Sequence, residues 1–245
     1  MTSVGMRCPE CAKQKTKVRV GPGAFTATDV PIATYALIAI NVAVFLAEVA
    51  SHGGGIIDVT PNNLIDHGGL AGPLVANGDY WRIITSGFLH VGLIHIALNM
   101  YILYIAGGLL ERSIGSLRFV ALYFLSLISG SFIALLIDPN ALTVGASGAI
   151  FGLMAAAVII AYGRGREDVA RQFAVLVALN LFLSFSVSGI SIGAHLGGLV
   201  GGAIASFFVI YIERRRGPAL PLEIPVLTVI AAAFAIAAVV AANSA

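Results

Sequence analysis

Apolar residues gather along this chain in seven long blocks, at about 32–49, 88–110, 117–137, 147–163, 171–188, 191–212 and 221–241, each closed by charged or Pro/Gly-containing breaks. The hydrocarbon core of a bilayer is about 30 Å thick and takes about 20 residues of α-helix to cross. The blocks therefore predict seven transmembrane helices and an all-α polytopic membrane protein. Connections are short except one, about residues 50–87, which carries Gly53-Gly54-Gly55, Pro61, Asn62, Asn63 and the Trp81-Arg82 pair. That segment is too apolar and too well punctuated for a plain linker. We expect a substructure partly embedded in the membrane with Trp81 at the interface; the alternative is an ordinary exposed loop with one interfacial tryptophan.

Composition agrees with the pattern, because a chain that is 58% hydrophobic and only 11% charged cannot form a water-soluble domain of this size. Charge then orients the helices. With the N-terminus in the cytoplasm, Arg7, Lys13, Lys15, Lys17 and Arg19 share a side with Arg112, Arg118, Arg164, Arg166, Arg171 and Arg214–Arg216. Of the 14 Lys and Arg residues only Arg82 is left outside. The positive-inside rule thus predicts N-in, C-out. The first 30 residues lack an apolar h-region and a small-residue cleavage site, so the first span is expected to stay as a membrane helix. Cys8 and Cys11 form a CxxC in this tail, where a reducing cytoplasm disfavours a structural disulfide. A zinc knuckle needs four ligands and no other Cys or His precedes the first span, so zinc at Cys8/Cys11 is not expected unless a second chain completes the site.

Polar groups inside membrane segments are costly and need a partner or a purpose. In the second block His95 and Asn99 fall roughly 40° apart on one helical face and can point at one target. His90 sits on another side, and we assign it a structural role at the start of the helix. The plain alternative for His95 and Asn99 is interhelical hydrogen bonding.

The fourth block opens Thr143-Val-Gly145-Ala-Ser147-Gly148-Ala149. This is GxSG and not the GxSxG elbow of soluble α/β-hydrolases, since Ala149 fills the last position. A serine at a helix start is commonly a cap. Here Gly145 and Gly148 clear space for an approaching backbone, and the helix N-terminus offers amide donors to a developing oxyanion.

The sixth block reads Gly193-Ala194-His195-Leu196-Gly197-Gly198-Leu199-Val200-Gly201-Gly202. Ala194, Gly198 and Gly202, like Gly148 and Gly152, recur every four residues, a spacing that lets helix backbones approach closely. N-in topology starts both helices at the outer face, so Ser147 and His195 are expected at similar depth as nucleophile and general base. No membrane-embedded acid is placed to orient His195, Glu48 being on the first helix, so the arrangement reads as a dyad whose imidazole is held by packing against Phe151.

These residues resemble the rhomboid intramembrane serine proteases over about residues 32–212, with Trp81-Arg82, His90 with His95 and Asn99, GxSG at Gly145–Gly148, and AHxxGxxxG at Ala194–Gly202 agreeing in order and spacing. The resemblance implies Ser147 as nucleophile, His195 as base, and an oxyanion held by the Ser147 amide, His95 and Asn99. It also implies cleavage near the outer membrane surface, in helices that unwind easily and offer a small residue at the cut. Phe151 stands where family members often carry tyrosine, and the seventh, Ala-rich helix makes a six-plus-one layout. The expected division is a tail with CxxC at 1–30, a rhomboid core of six transmembrane helices at 31–212, and a linker with the seventh helix at 213–245. Expected partners are transmembrane protein substrates and the lipid bilayer, without nucleic acid or cofactor, and the expected setting is a bacterial plasma membrane. Asn180, Ser184 and Ser186 mark the fifth helix as a candidate gate for lateral access of substrate. Two alternatives are an inactive rhomboid-like client-binding protein, which would lack the serine or the histidine, and a small-solute transporter, which would want charged residues on both sides of the midplane and shows no inverted repeat here.

Overall fold

The computed structural model describes residues 30–53, 55–60, 62–187, 189–216 and 223–244. The CxxC at Cys8 and Cys11 and the basic residues around it lie outside the described residues. Among the described residues all regular structure is helical, apart from one isolated bridge between Leu70 and Thr143.

Helix α1 spans Ile32–His52. The long connection that follows is folded, with short helices α2 (Asn63–Gly68), α3 (Gly72–Ala76) and α4 (Arg82–Thr85) and a 3-10 turn at Ser86–Phe88. Next come α5 (Leu93–Ile102) and α6 (Gly108–Ile114), joined without a break by a π-helical turn at Leu103–Gly107. The remaining helices are α7 (Ser116–Ile137), α8 (Ser147–Gly163), α9 (Glu167–Ser186), α10 (Ile192–Arg216) and α11 (Glu223–Asn243).

Among the described residues six helices are long and apolar enough to cross a membrane: α1, the joined α5–α6, α7, α9, α10 and α11. The fourth apolar block differs from the expectation of a full crossing. Its helix α8 has 17 residues, about 25 Å at 1.5 Å per residue, which is short of the hydrocarbon thickness. Much of α8 is buried, including Ala149, Leu153, Met154 and Ala156, so it is wrapped by its neighbours α7, α9 and α10.

Small residues set the closeness of that packing. A methyl on Gly198 of α10 would run into the carbonyl oxygen of Gly148 on α8, and one on Gly202 into the carbonyl oxygen of Gly152. On the other side of α10, Gly197 lies against the Ser129 carbonyl of α7, and Ser129 Oγ donates to the Gly197 carbonyl at 2.8 Å. Lipid tails are as apolar as leucine, so close van der Waals contact and such hydrogen bonds hold helices together in a bilayer. Helices α7, α8 and α10 thus form a tripod with backbones in contact.

Buried acids fasten the outer helices to it. Glu111 accepts from the Ala33 and Thr34 amides at 2.8 and 2.7 Å, from Thr34 Oγ1 at 2.7 Å and from Ser116 Oγ at 2.6 Å. The two amides belong to the first turn of α1 and have no intrahelical acceptor, so the carboxylate satisfies them and faces the positive end of the helix dipole. Arg118 of α7 and Glu223 of α11, both buried, form an ion pair that ties the last helix to the tripod. Away from water such charges persist only when paired.

The second apolar block begins its helix at Leu93, five residues later than the 88 expected. Val59 donates to the Val91 carbonyl at 3.1 Å and Leu93 to the Ile56 carbonyl at 2.9 Å, so the chain is held by the preceding loop up to the first residue of the helix and the helix does not extend back beyond Leu93. An apolar run shows that a segment is buried without showing whether its backbone bonds to itself. His90 accordingly precedes the helix. The loop is built around Arg82, 4% exposed, which donates to the Asp66 and Gly69 carbonyls at 2.8 Å each and pairs with Asp79 at 2.9 Å. Half-exposed Trp81 donates its indole N–H to the His67 carbonyl at 3.1 Å.

Candidate active site

The folded loop positions the chain that enters α8. Leu70 and Thr143 exchange two backbone hydrogen bonds at 2.9 and 2.8 Å, and the Gly145 amide donates to the Ser86 carbonyl at 2.9 Å. Gly145 has φ +124°, a region that side-chain-bearing residues rarely occupy. A methyl there would also lie 2.7 Å from His95 Nε2 and 3.8 Å from Ser147 Oγ. The bare face of Gly145 therefore makes room for the His95 ring and borders the Ser147 hydroxyl.

Ser147 is the first residue of α8 and does not cap it, since no side-chain capping bond is made at this terminus. Its half-buried Oγ lies 2.7 Å from His195 Nε2. The two residues are 48 positions apart in sequence and come together because Gly148 and Gly198 allow α8 and α10 to touch next to them.

His195 is held on three sides. Its ring stacks on Phe151, with centroids 4.1 Å apart and planes 18° from parallel, and Nε2 faces Ser147. On the far edge Nδ1 lies 2.7 Å from Ser184 Oγ of α9. The expectation that packing alone holds the imidazole is therefore incomplete. Ser184 is buried and also lies 2.7 Å from the Asn180 carbonyl one turn back. Among the described residues the side chains of Asn180 and Ser186, grouped with it from the sequence, bond only to carbonyls of their own helix, at 2.8 Å each. A hydroxyl in an apolar helix carries no periodic signal of the direction in which it points, and an i−4 back-bond is its ordinary fate.

His95 and Asn99 share one face of α5, one turn apart, as their spacing predicts. The Asn99 amide donates to the His95 carbonyl at 2.9 Å, its only hydrogen bond among the described residues. His90 is completely buried, and its ring packs against His95 with centroids 4.9 Å apart. Its backbone amide donates to the carboxylate of Glu48 at 3.1 and 3.2 Å. Glu48, fully buried on α1, thus anchors the residue that braces His95, while the hydrogen bonds of the His195 ring go to Ser147 and Ser184. The sequence marked Glu48 as an acid in a membrane helix but gave no hint of a backbone partner 42 residues away. Among the described residues no group of three or more His, Cys, Asp or Glu is disposed to hold a metal ion.

A hydroxyl on an imidazole nitrogen at 2.7 Å, at the N-terminus of a helix and beside a second histidine, has the parts that acyl transfer needs: a nucleophile, a base and donors for an oxyanion. Comparison with known proteins points the same way. Residues 77–212 match the Rhomboid domain family. Rhomboid protease GluP of Bacillus subtilis is 34% identical over 180 residues, 72% of this chain and 34% of that protein. Rhomboid-like protease 3 of Toxoplasma gondii is 39% identical over 138 residues, 53% of this chain and 52% of the relative. RHOMBOID-like protein 5 of Arabidopsis thaliana is 34% identical over 165 residues, 64% of this chain and 53% of the relative. The chain spans about a third to a half of the length of these relatives. With the family match covering more than half of its residues, including Ser147 and His195, the chain is an integral, multi-pass membrane protein that belongs to the rhomboid family.

Proposed function

We propose that this protein is an intramembrane serine endopeptidase that cuts transmembrane segments of other proteins near the outer membrane face with a Ser147/His195 dyad. The observation that carries the proposal is the 2.7 Å contact between Ser147 Oγ and His195 Nε2. His195 Nε2 takes the hydroxyl proton as Oγ attacks the scissile carbonyl carbon. The oxyanion that forms is held by the Ser147 amide at the head of α8, by His95 and by Asn99. Collapse of the tetrahedral species breaks the C–N bond, and the amine leaves with the proton from His195. Water then attacks the acyl ester, gives its proton to Nε2 and releases the acid, while His195 returns the proton to Ser147. The Asn99 amide, which now donates to its own helix, has a second N–H to offer to the oxyanion.

The topology fits this chemistry. With the N-terminus in the cytoplasm and the C-terminus outside, Ser147 begins its short helix at depth on the outer side, where water can reach. A substrate peptide bond must leave its helix to be attacked, so helices that unwind at low cost are the preferred substrates. Residues 31–212 form the protease core, 213–245 add the seventh helix, and α9 is the side on which substrate enters. We place the protein in a bacterial plasma membrane, in keeping with the alignment to the B. subtilis relative over 72% of the chain.

Reconstitution into proteoliposomes with a single-span substrate tests the dyad. Ser147→Ala and His195→Ala should each reduce cleavage by several orders of magnitude while leaving helix content and detergent-solution mass unchanged. Cleavage by either variant at a rate near that of the unaltered protein would remove the dyad and favour a client-binding role.

A further inference from the structure

We infer that Ser184 is a positioning residue that holds His195 in the tautomer able to act as a base. The inference rests on the dyad proposed above and adds a third residue to it, contributed by a different helix. Ser184 Oγ lies 2.7 Å from His195 Nδ1 and 2.7 Å from the Asn180 carbonyl oxygen. Asn180 O can only accept, and the serine has one proton. If that proton points to Asn180 O, Ser184 presents a lone pair to His195, so Nδ1 carries the hydrogen and donates. Nε2 is then unprotonated and accepts from Ser147 Oγ at 2.7 Å. Every hydrogen in the chain Ser147, His195, Ser184, Asn180 has an acceptor.

The reverse arrangement is poorer. With hydrogen on Nε2, the ring donates to Ser147 and can no longer take its proton. Ser184 must turn its own proton to Nδ1 and give up Asn180 O, and the Ser147 hydroxyl must find an acceptor elsewhere. Ser184 is 2% exposed and His195 6% exposed, and unmade hydrogen bonds are costly in so buried a place. The network therefore selects the productive tautomer, the task that a carboxylate performs in soluble triads. A neutral acceptor does this without placing a charge in the membrane. As the ring becomes imidazolium, Nδ1–H keeps its bond to Ser184, so the orientation survives the proton transfer.

The test combines kinetics with a direct reading of the tautomer on the full chain. Protein labelled with [15N]histidine in detergent micelles gives the Nδ1 and Nε2 shifts of His195, identified by their disappearance in His195→Gln. The unaltered protein should show the Nδ1–H form. Ser184→Ala, a change toward a smaller and better helix former, should move His195 toward a mixture of tautomers. Its kcat should fall about 10- to 100-fold, the effect expected when a buried donor loses its acceptor, with KM changed by less than about twofold. An Nε2–H form in the unaltered protein would overturn the inference, as would Ser184→Ala with an unchanged tautomer, whether or not its rate fell. In either case inactivity of Ser147→Ala would leave the dyad standing, whereas activity of Ser147→Ala would remove the dyad itself.

Discussion

Phe151 shows how much a single side chain can do without a polar atom. It lies one turn beyond Ser147 on α8, and its ring covers the face of His195 at 4.1 Å. The stack blocks one direction of imidazole rotation and keeps that face dry. Aromatic contacts of this kind are worth about 0.5–1.5 kcal/mol beyond simple burial, which corresponds to about 2- to 10-fold in rate if the contact is needed in the transition state. Phe151→Leu should therefore lower kcat by about that factor, whereas Phe151→Tyr, which keeps the ring face, should stay within about twofold of the unaltered rate. Initial cleavage rates at saturating substrate measure both, and equal rates for the two variants would assign the ring to packing alone. At this scale the sequence was informative where residue type and spacing coincide: Ser147 between two glycines, His195 within a small-residue ladder, Phe151 at the next turn. It named Ser184 only within a candidate gate and Glu48 only as an acid on the first helix, and was silent on their partners, because each acts through a contact whose direction depends on how distant segments are turned toward each other.

Among the elements, α8 and α10 matter most. The Gly148–Gly198 contact leaves no room for a methyl group, so Gly198→Ala must push the two helices apart at the level of Ser147 and His195. Overpacking typically costs about 1–3 kcal/mol, and the displacement stretches the 2.7 Å contact between base and nucleophile. We expect a lower melting temperature and at least a tenfold loss of kcat, read by thermal unfolding in detergent and by cleavage in proteoliposomes. Val200→Ala, on the exposed side of the same helix, should change neither by much. An active, stable Gly198→Ala protein would show that the helices can separate without consequence. The glycine spacing announced this contact, and the bounds of α8 follow the apolar block at 147–163. The start of α5 did not follow its block, because hydropathy registers burial while Val59 and Leu93 decide by backbone bonding where the helix begins. The loop before it reads as folded from its Pro, Gly and Trp-Arg punctuation, but the bridge from Leu70 to Thr143 that sets the approach to Ser147 joins residues no local pattern relates.

For the molecule as a whole, attachment is uneven. The tripod of α7, α8 and α10 is held backbone to backbone, and α11 is tied to it through Arg118 and Glu223. Little of either outer helix is buried, 11% of the apolar stretch of α11 and 17% of that of α9, but α11 has a buried ion pair to the tripod, whereas the side chain that α9 sends inward by hydrogen bond is the serine that meets His195. Glu48 shows why the sequence could place an acid in a membrane helix without saying what it holds: its partner is the backbone amide of His90, 42 residues away. The seating of α9 has a consequence for endurance. Heat should shed the loosest part of a structure before its best-packed part, so the temperature at which this protein stops working and the temperature at which it comes apart should differ. On warming in proteoliposomes, cleavage should decline while the far-ultraviolet helix signal is still flat, and it should return on cooling as long as that signal has not begun to fall. Loss of both together, or activity that never returns from the lower range, would mean that α9 is seated as firmly as the rest and that the protein has a single point of failure.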